Sequence, residues 1–128
     1  MRGVLLILSI ALFGASCHLA RHHGASVEKR LVRQGYLACT VAATSNGAND
    51  GRRFTWYRDT GKPKLLLLHG YSGTGALQWS RTAKLLRKEF DCIMPDLLCH
   101  GRSTTWDTTR AGLSLDDQVA HVVAILDN

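Results

Sequence analysis

The sequence predicts an α/β fold in which an antiparallel hairpin is followed by parallel strands with flanking helices. Residues 36–58 alternate between apolar and polar side chains around Asn-Gly and Asp-Gly pairs, a pattern typical of a hairpin. Residues 65–68 are four consecutive leucines, which is typical of a strand buried on both faces. An amphipathic stretch and a short apolar run at residues 92–94 come next, as in a strand–helix–strand unit.

Composition favours a folded domain over a disordered chain. The 128 residues are 45% hydrophobic and 20% charged, which suits one globular domain. The net charge is +6, but its arginines and lysines lie in a basic segment at residues 21–33 and near turns, without interleaved aromatic side chains. We therefore expect no nucleic-acid partner. No two cysteines form a CxxC pair, so we expect no metal site and no cofactor. The sequence does not determine the disulfide pairing of Cys39, Cys92 and Cys99.

Residues 1–20 have the pattern of a secretory signal peptide. A basic Arg2 precedes an apolar run at residues 4–13, and small residues follow at 14–16. The run is about half as long as a membrane-spanning helix, which needs ~20 apolar residues, so we expect no stable membrane span.

This pattern predicts a secreted or extracytoplasmic protein whose signal peptide is cleaved near residues 16–20. Cleavage before Cys17 would instead expose a cysteine for lipoprotein anchoring. Gly14 argues against that alternative, because such motifs prefer leucine at this position.

Residues 21–35 show no clear period, and we interpret them as a basic polar tail. The folded domain then covers residues 36–128. One helix is predicted by an apolar stripe at helical spacing, formed by Trp79, Ala83, Leu86 and Phe90. A second helix is predicted to begin at Ser114, because Asp117 completes an approximate capping box. Its expected apolar face is formed by Leu115, Val119, Val122 and Leu126.

A glycine-rich turn, residues 69–75, lies between the leucine run and the first helix. A dinucleotide-binding loop would need glycine at position 78, where the sequence has Gln78, and no Gly-Lys-Ser/Thr of a Walker loop is present. An oxyanion hole is the other chemistry of such turns, in which backbone N–H groups face the negative charge that develops on a carbonyl oxygen.

Two motifs resemble those of the α/β-hydrolase family. Residues 65–71, Leu-Leu-Leu-Leu-His-Gly-Tyr, look like the strand-to-helix turn of that family. Residues 95–103, Pro-Asp-Leu-Leu-Cys-His-Gly-Arg-Ser, resemble its next strand exit, usually Pro-Asp-x-x-Gly-His-Gly-x-Ser. The resemblance covers roughly residues 36–128 and implies the N-terminal portion of an α/β-hydrolase sheet. It also implies that the leucine strand has an open edge in this chain.

The resemblance implies roles for individual residues. The backbone N–H of Tyr71 is an oxyanion-hole donor, in a turn shaped by His69, Gly70, Ser72 and Gly73. The second turn is a structural loop that is held by Asp96, His100, Gly101, Arg102 and Ser103. Cys99 stands where the family usually has glycine, and it would be strained if this position needs a positive φ.

The nucleophile of the family is missing. Its serine lies in a Gly-x-Ser-x-Gly elbow, and no Gly-x-Ser in this chain has the second glycine. Asp96, His100 and Ser103 are the residue types of a triad, but they share one short turn, so we expect them to be structural. We predict the N-terminal fragment of a secreted α/β-hydrolase, esterase- or lipase-like on small ester-like substrates when complete and inactive as given. The alternative is a non-catalytic secreted binding module on a partial fold.

Overall fold

The computed structural model describes residues 5–8, 17–45, 48–71, 73–103 and 113–127. Within them the chain forms five strands and three helices. The elements are β1 (Leu5–Leu8), α1 (Cys17–Arg33), β2 (Leu37–Ser45), β3 (Ala48–Tyr57), β4 (Lys64–Leu68), α2 (Gly75–Leu86), β5 (Asp91–Pro95) and α3 (Leu115–Leu126).

The strands form one mixed sheet in the order β1-β4-β5-β3-β2. β2 and β3 pair as an antiparallel hairpin, β3 pairs antiparallel with β5, and β4 pairs in parallel with β5. Helix α2 connects the two parallel strands, since they cannot be joined by a tight turn. The predicted fold class, a hairpin followed by parallel strands with flanking helices, is confirmed.

Burial explains why the leucine run does not alternate. Leu65, Leu66 and Leu67 on β4 are all buried, so both faces of this strand are covered. On one face Leu65 and Leu67 join a core that includes Trp79 and Ala83 of α2. The strand–helix–strand unit is therefore the centre of the molecule, and both polar turns lie at its carboxyl-terminal edge.

The hairpin has a tighter connection than its two turn signals indicated. Ser45 pairs with Ala48, and the Asn-Gly pair between them lies outside the described residues. Asp50 and Gly51 lie inside β3, where the register shifts beside Ala43.

The prediction of a basic polar tail at residues 21–35 is wrong in its local structure. Helix α1 spans most of this segment, and Leu31 is fully buried in the core, with Val27 packed against it. Among the described side chains of α1, Val27 and Leu31 are the two apolar ones that pack into the core, so the apolar period was too sparse to detect. Whether residues 1–20 are removed as a signal is a matter of processing and stays a prediction.

Helix α3 begins as predicted but buries a different face. The capping box between Ser114 and Asp117 is present. The buried side chains are His121, Val122 and Ile125, whereas Leu115 is 78% exposed and Val119 is 52% exposed. The helix carries two apolar stripes. The stripe that includes His121 packs inward, where Gln118 and His121 form hydrogen bonds with the loop after β5.

The edge of β4 that was expected to lie open is paired with β1. The two strands are parallel, with a register that runs from Leu5 opposite Leu65 to Leu8 opposite Leu68. The predicted secretory segment therefore supplies a neighbour for the leucine strand. None of the helices that the structure describes is long and apolar enough to cross a membrane.

A substitution at Gly24 tests helix α1. Nothing lies within 4 Å of the position that an alanine Cβ would occupy. Because alanine is more favourable than glycine inside a helix, Gly24→Ala should raise the free energy of unfolding by about 0.5–1 kcal/mol. Gly24→Pro is the matched control with the opposite sign and should cost about 3 kcal/mol. If denaturant titrations showed the same stability for both variants and the wild-type chain, residue 24 would not lie in a helix. The prediction of a polar tail would then stand.

Truncation tests the pairing of β1 with β4. Removing residues 1–16 deletes β1 and leaves unpaired N–H and C=O groups along an apolar edge, which favours pairing with another chain. We expect this variant to self-associate in size-exclusion chromatography with light scattering. A variant that lacks only residues 1–4 keeps β1 and is the control. Equal molar masses for the two variants would count against a protective role of β1.

Candidate functional site

Three side chains hold the turn after β4, one for each of three consecutive peptide groups. Gln78 Oε1, on α2, accepts the N–H of Gly70 at 2.9 Å. His69 Nδ1 lies 2.8 Å from the carbonyl oxygen of Gly70. His100 Nε2 lies 2.7 Å from the carbonyl oxygen of Tyr71. These contacts fix the peptide planes on both sides of Tyr71.

The N–H of Tyr71 belongs to the peptide whose carbonyl His69 holds. In a trans peptide the N–H points away from the carbonyl oxygen, so the contact to Gly70 aims the Tyr71 N–H in the opposite direction. No hydrogen bond between described residues uses this N–H, and the Tyr71 side chain is 92% exposed. The structure thus places the predicted donor on an accessible, well-braced turn.

His69 is a neutral bridge between the two turns. The backbone N–H of Leu97 donates to Nε2 at 2.9 Å, so this nitrogen carries no proton, and Nδ1–H donates to Gly70. Burial lowers the pKa of His69 to about 4, and the nearby imidazole of His100 acts in the same direction. The neutral tautomer is therefore the form that satisfies both contacts.

Asp96 ties the second turn to the start of α2. Its carboxylate accepts the N–H of Gly75 at 2.9 Å and the N–H of Arg102 at 3.0 Å. Burial raises the pKa of Asp96, while these two N–H groups and the nearby side chains of Arg102 and His100 oppose that shift. The carboxylate braces the loop and is directed into the protein.

Arg102 links this loop to α1. Its guanidinium forms an ion pair with Glu28 and lies over the rings of Phe54, at 4.8 Å, and Trp56, at 5.9 Å. The stacked aromatic faces and the carboxylate together fix the planar group. The second turn is therefore anchored to a helix that the sequence pattern did not predict.

Cys99 and Gly101 both have positive φ, at 64° and 54°. The strained backbone expected for Cys99 is therefore present, at a cost of about 1–2 kcal/mol. The loop keeps its shape because its N–H groups are engaged at Leu97 by His69 and at Leu98 by Gln118 of α3, which accepts at 3.0 Å.

Asp96, His100 and Ser103 do not form a catalytic triad. Ser103 Oγ donates to the backbone carbonyl of Asp96 at 2.6 Å and accepts the N–H of Phe54 at 3.1 Å. His121 Nε2 lies 2.9 Å from the same carbonyl and 3.4 Å from Ser103 Oγ. Since Nε2–H must donate to the carbonyl, it cannot act as a base toward the serine. The buried hydroxyl is a structural link.

Most predicted site residues converge on the sheet edge, and three contributors were missed. The turn and loop residues lie together as expected, except that Ser72 is outside the described residues. The missed residues are Gln78, Gln118 and His121. A signal for the last two existed, since they are polar residues three positions apart on a helix whose later turns are otherwise apolar, and so they share one face.

Metal and disulfide chemistry are not evident at this site. Among the residues that the structure describes, no three His, Cys, Asp or Glu side chains are grouped to hold a metal ion. No disulfide joins Cys39, Cys92 and Cys99. The buried thiol of Cys92 instead contacts the hydroxyl of Tyr36 in the core, and burial raises the pKa of both groups.

Solved structures of hydrolases have this fold. A haloalkane dehalogenase from Agrobacterium tumefaciens matches 73% of this chain and 29% of its own, with 24% identity and a TM-score of 0.57. A protein assigned as a lipase from Acinetobacter baumannii matches 93% of this chain and 36% of its own, with 18% identity and a TM-score of 0.65. A protein assigned as an epoxide hydrolase from Pseudomonas aeruginosa matches 73% and 28%, with 27% identity and a TM-score of 0.54.

The chain spans about a third of the length of these structures. No curated protein matches it. The family model described as the alpha/beta hydrolase fold matches residues 63–128, which is more than half of the chain and includes both turns. The chain therefore belongs to the α/β-hydrolase fold family.

Proposed function

We propose that this chain supplies one half of the oxyanion hole of a hydrolase that transfers acyl groups of small ester-like substrates to water. The donor is the backbone N–H of Tyr71. The observation that carries the proposal is the bracing of three successive peptide groups by Gln78, His69 and His100, which orients this N–H before any substrate arrives. Such preorganised donors stabilise the charge that develops on a carbonyl oxygen.

The chemistry would require a nucleophile from outside the described site. Ser103 is 6% exposed and hydrogen-bonded on both sides, so it is unsuited to attack a carbonyl group. We infer that the chain as given is inactive and that the serine belongs to further sequence. The basic N-terminus, the apolar run and the small residues at 14–16 support export of the protein from the cytoplasm.

A non-catalytic binding module is the second candidate. The observation that favours it is an exposed apolar stripe on α3, formed by Leu115, Val119, Val123 and Leu126. An uncovered apolar helix face is typical of a surface that meets another protein segment. The coding sequence downstream of residue 128 separates the candidates, because an open frame that continues into Gly-x-Ser-x-Gly supports the hydrolase.

The first test is hydrolysis of a short-chain p-nitrophenyl ester by the purified chain. We expect a rate no higher than that of buffer, because the structure shows no activated nucleophile beside Tyr71 among the residues that it describes. Ser103→Ala should behave identically. Turnover by the wild-type chain that disappears in Ser103→Ala would show that the serine attacks after all and would overturn the proposed division of the site.

The second test concerns the oxyanion donor in a longer protein that includes the downstream elbow. Tyr71→Pro removes the backbone N–H and should lower kcat by about 10²–10³-fold. Tyr71→Ala keeps the N–H and removes only an exposed side chain, so it should lose far less. Similar kcat values for the two variants would exclude this N–H as the donor.

A further inference from the structure

The imidazole of His100 faces two hydrogen-bond acceptors. Nε2 lies 2.7 Å from the carbonyl oxygen of Tyr71, and Nδ1 lies 2.8 Å from the carbonyl oxygen of Leu98. A carbonyl oxygen only accepts, and a neutral imidazole has one N–H and one lone pair. Both contacts are hydrogen bonds only when both ring nitrogens carry protons. In the neutral ring one lone pair would face a carbonyl lone pair at this distance.

The neighbouring His69 has the opposite requirement. It receives an N–H from Leu97 on one nitrogen and donates from the other, so its two partners fit the neutral ring. The rings of His69 and His100 meet edge to face, with centroids 5.0 Å apart. Two adjacent histidines of one site thus have partners that select different protonation states.

We propose that His100 is a positioning residue whose doubly protonated ring clamps the Tyr71 turn onto the loop after β5. Loss of one proton removes one of the two hydrogen bonds. The ring then moves away from that carbonyl oxygen, because its new lone pair repels the lone pairs of the oxygen. The peptide that follows Tyr71 then loses its brace, while Gln78 and His69 still hold the two preceding peptides. The clamp rests on the proposed function only in that Tyr71 is the candidate oxyanion donor.

Charged and titratable groups from several elements face His100. At the end of β5, the carboxylate of Asp96 interacts favourably with the His100 charge. The phenol of Tyr71 lies edge to face, with its ring centroid 6.3 Å away. Arg102, on the same loop, directs its guanidinium toward Glu28 on α1. Helix α3 contributes the neutral amide of Gln118, which donates to the Leu98 carbonyl at 3.3 Å.

Residue-resolved NMR of the isotope-labelled full chain between about pH 8 and pH 5 tests the clamp, since this is the range in which histidine side chains change charge. We expect the ring nitrogens of His100 to show both protons at the acidic end. The amide signals of Gly70, Tyr71 and Gly73 should shift with the same midpoint as the His100 ring. His69, which is buried and neutral, is the internal control and should keep one proton throughout.

His100→Gln separates the clamp from other titrations. Its single neutral amide cannot change charge, so the amide shifts of the turn should no longer follow pH over this range. If the variant does not fold, the wild-type titration alone decides. A His100 ring that titrates without moving the turn would overturn the clamp, as would a turn that follows pH equally in the variant.

These readouts are independent of hydrolysis. A turn that follows His100 in a protein without hydrolase activity would leave the clamp standing and refute the proposed function. Conversely, hydrolase activity that depends on the Tyr71 N–H, in a protein whose turn does not respond to the protonation of His100, would support the proposed function and overturn the clamp.

Discussion

The structure depends on one buried carboxylate. Asp96 accepts the first N–H of α2 and the N–H of Arg102, so a single side chain joins the helix that follows β4 to the loop that follows β5. The approach is close: a Cβ at Gly75 would lie 2.5 Å from the Met94 carbonyl oxygen, and a Cβ at Gly101 would collide with the Asp96 carboxylate. Only residues without side chains allow the two turns to meet at this distance.

Rigid turns allow backbone groups to serve as a site. Side chains from three elements hold the peptides around Tyr71: Gln78 from α2, His69 from the end of β4 and His100 from the loop after β5. All of them lie within the unit that runs from β4 to that loop, which is also the most buried part of the sheet. The candidate half-site is therefore built by the same packing that stabilises the fold, and α3 supports only its second loop, through Gln118 and His121.

Sequence patterns predicted the parts of this fold that repeat locally and missed the parts that rely on distant partners. Burial produces a recognisable apolar pattern within a few residues in three places: the leucine run, the alternating hairpin and the helical stripe of α2. Helix α1 was missed because two apolar side chains carry its packing, and the buried face of α3 was misassigned because both stripes are apolar. The role of Gln78 was not predicted because it depends on the side chain accepting the N–H of Gly70, in the turn before the helix. The role of His121 was not predicted because its partner is the backbone carbonyl of Asp96, 25 residues earlier.

The start of α2 explains why we place the proposed donor upstream of the helix. Helix N-termini attract anions through free N–H groups and the dipole. Here the Gly75 N–H is used by Asp96, and the Leu77 N–H by the Thr74 side chain at 3.2 Å. The Asp96 carboxylate thus occupies the position that a phosphate would take, and its charge would repel one. Upstream of the helix, the Tyr71 N–H is not used by any hydrogen bond between described residues. The proposed acyl-transfer role needs only a few such aimed donors, because the charge that develops on one carbonyl oxygen is smaller than that of a phosphate.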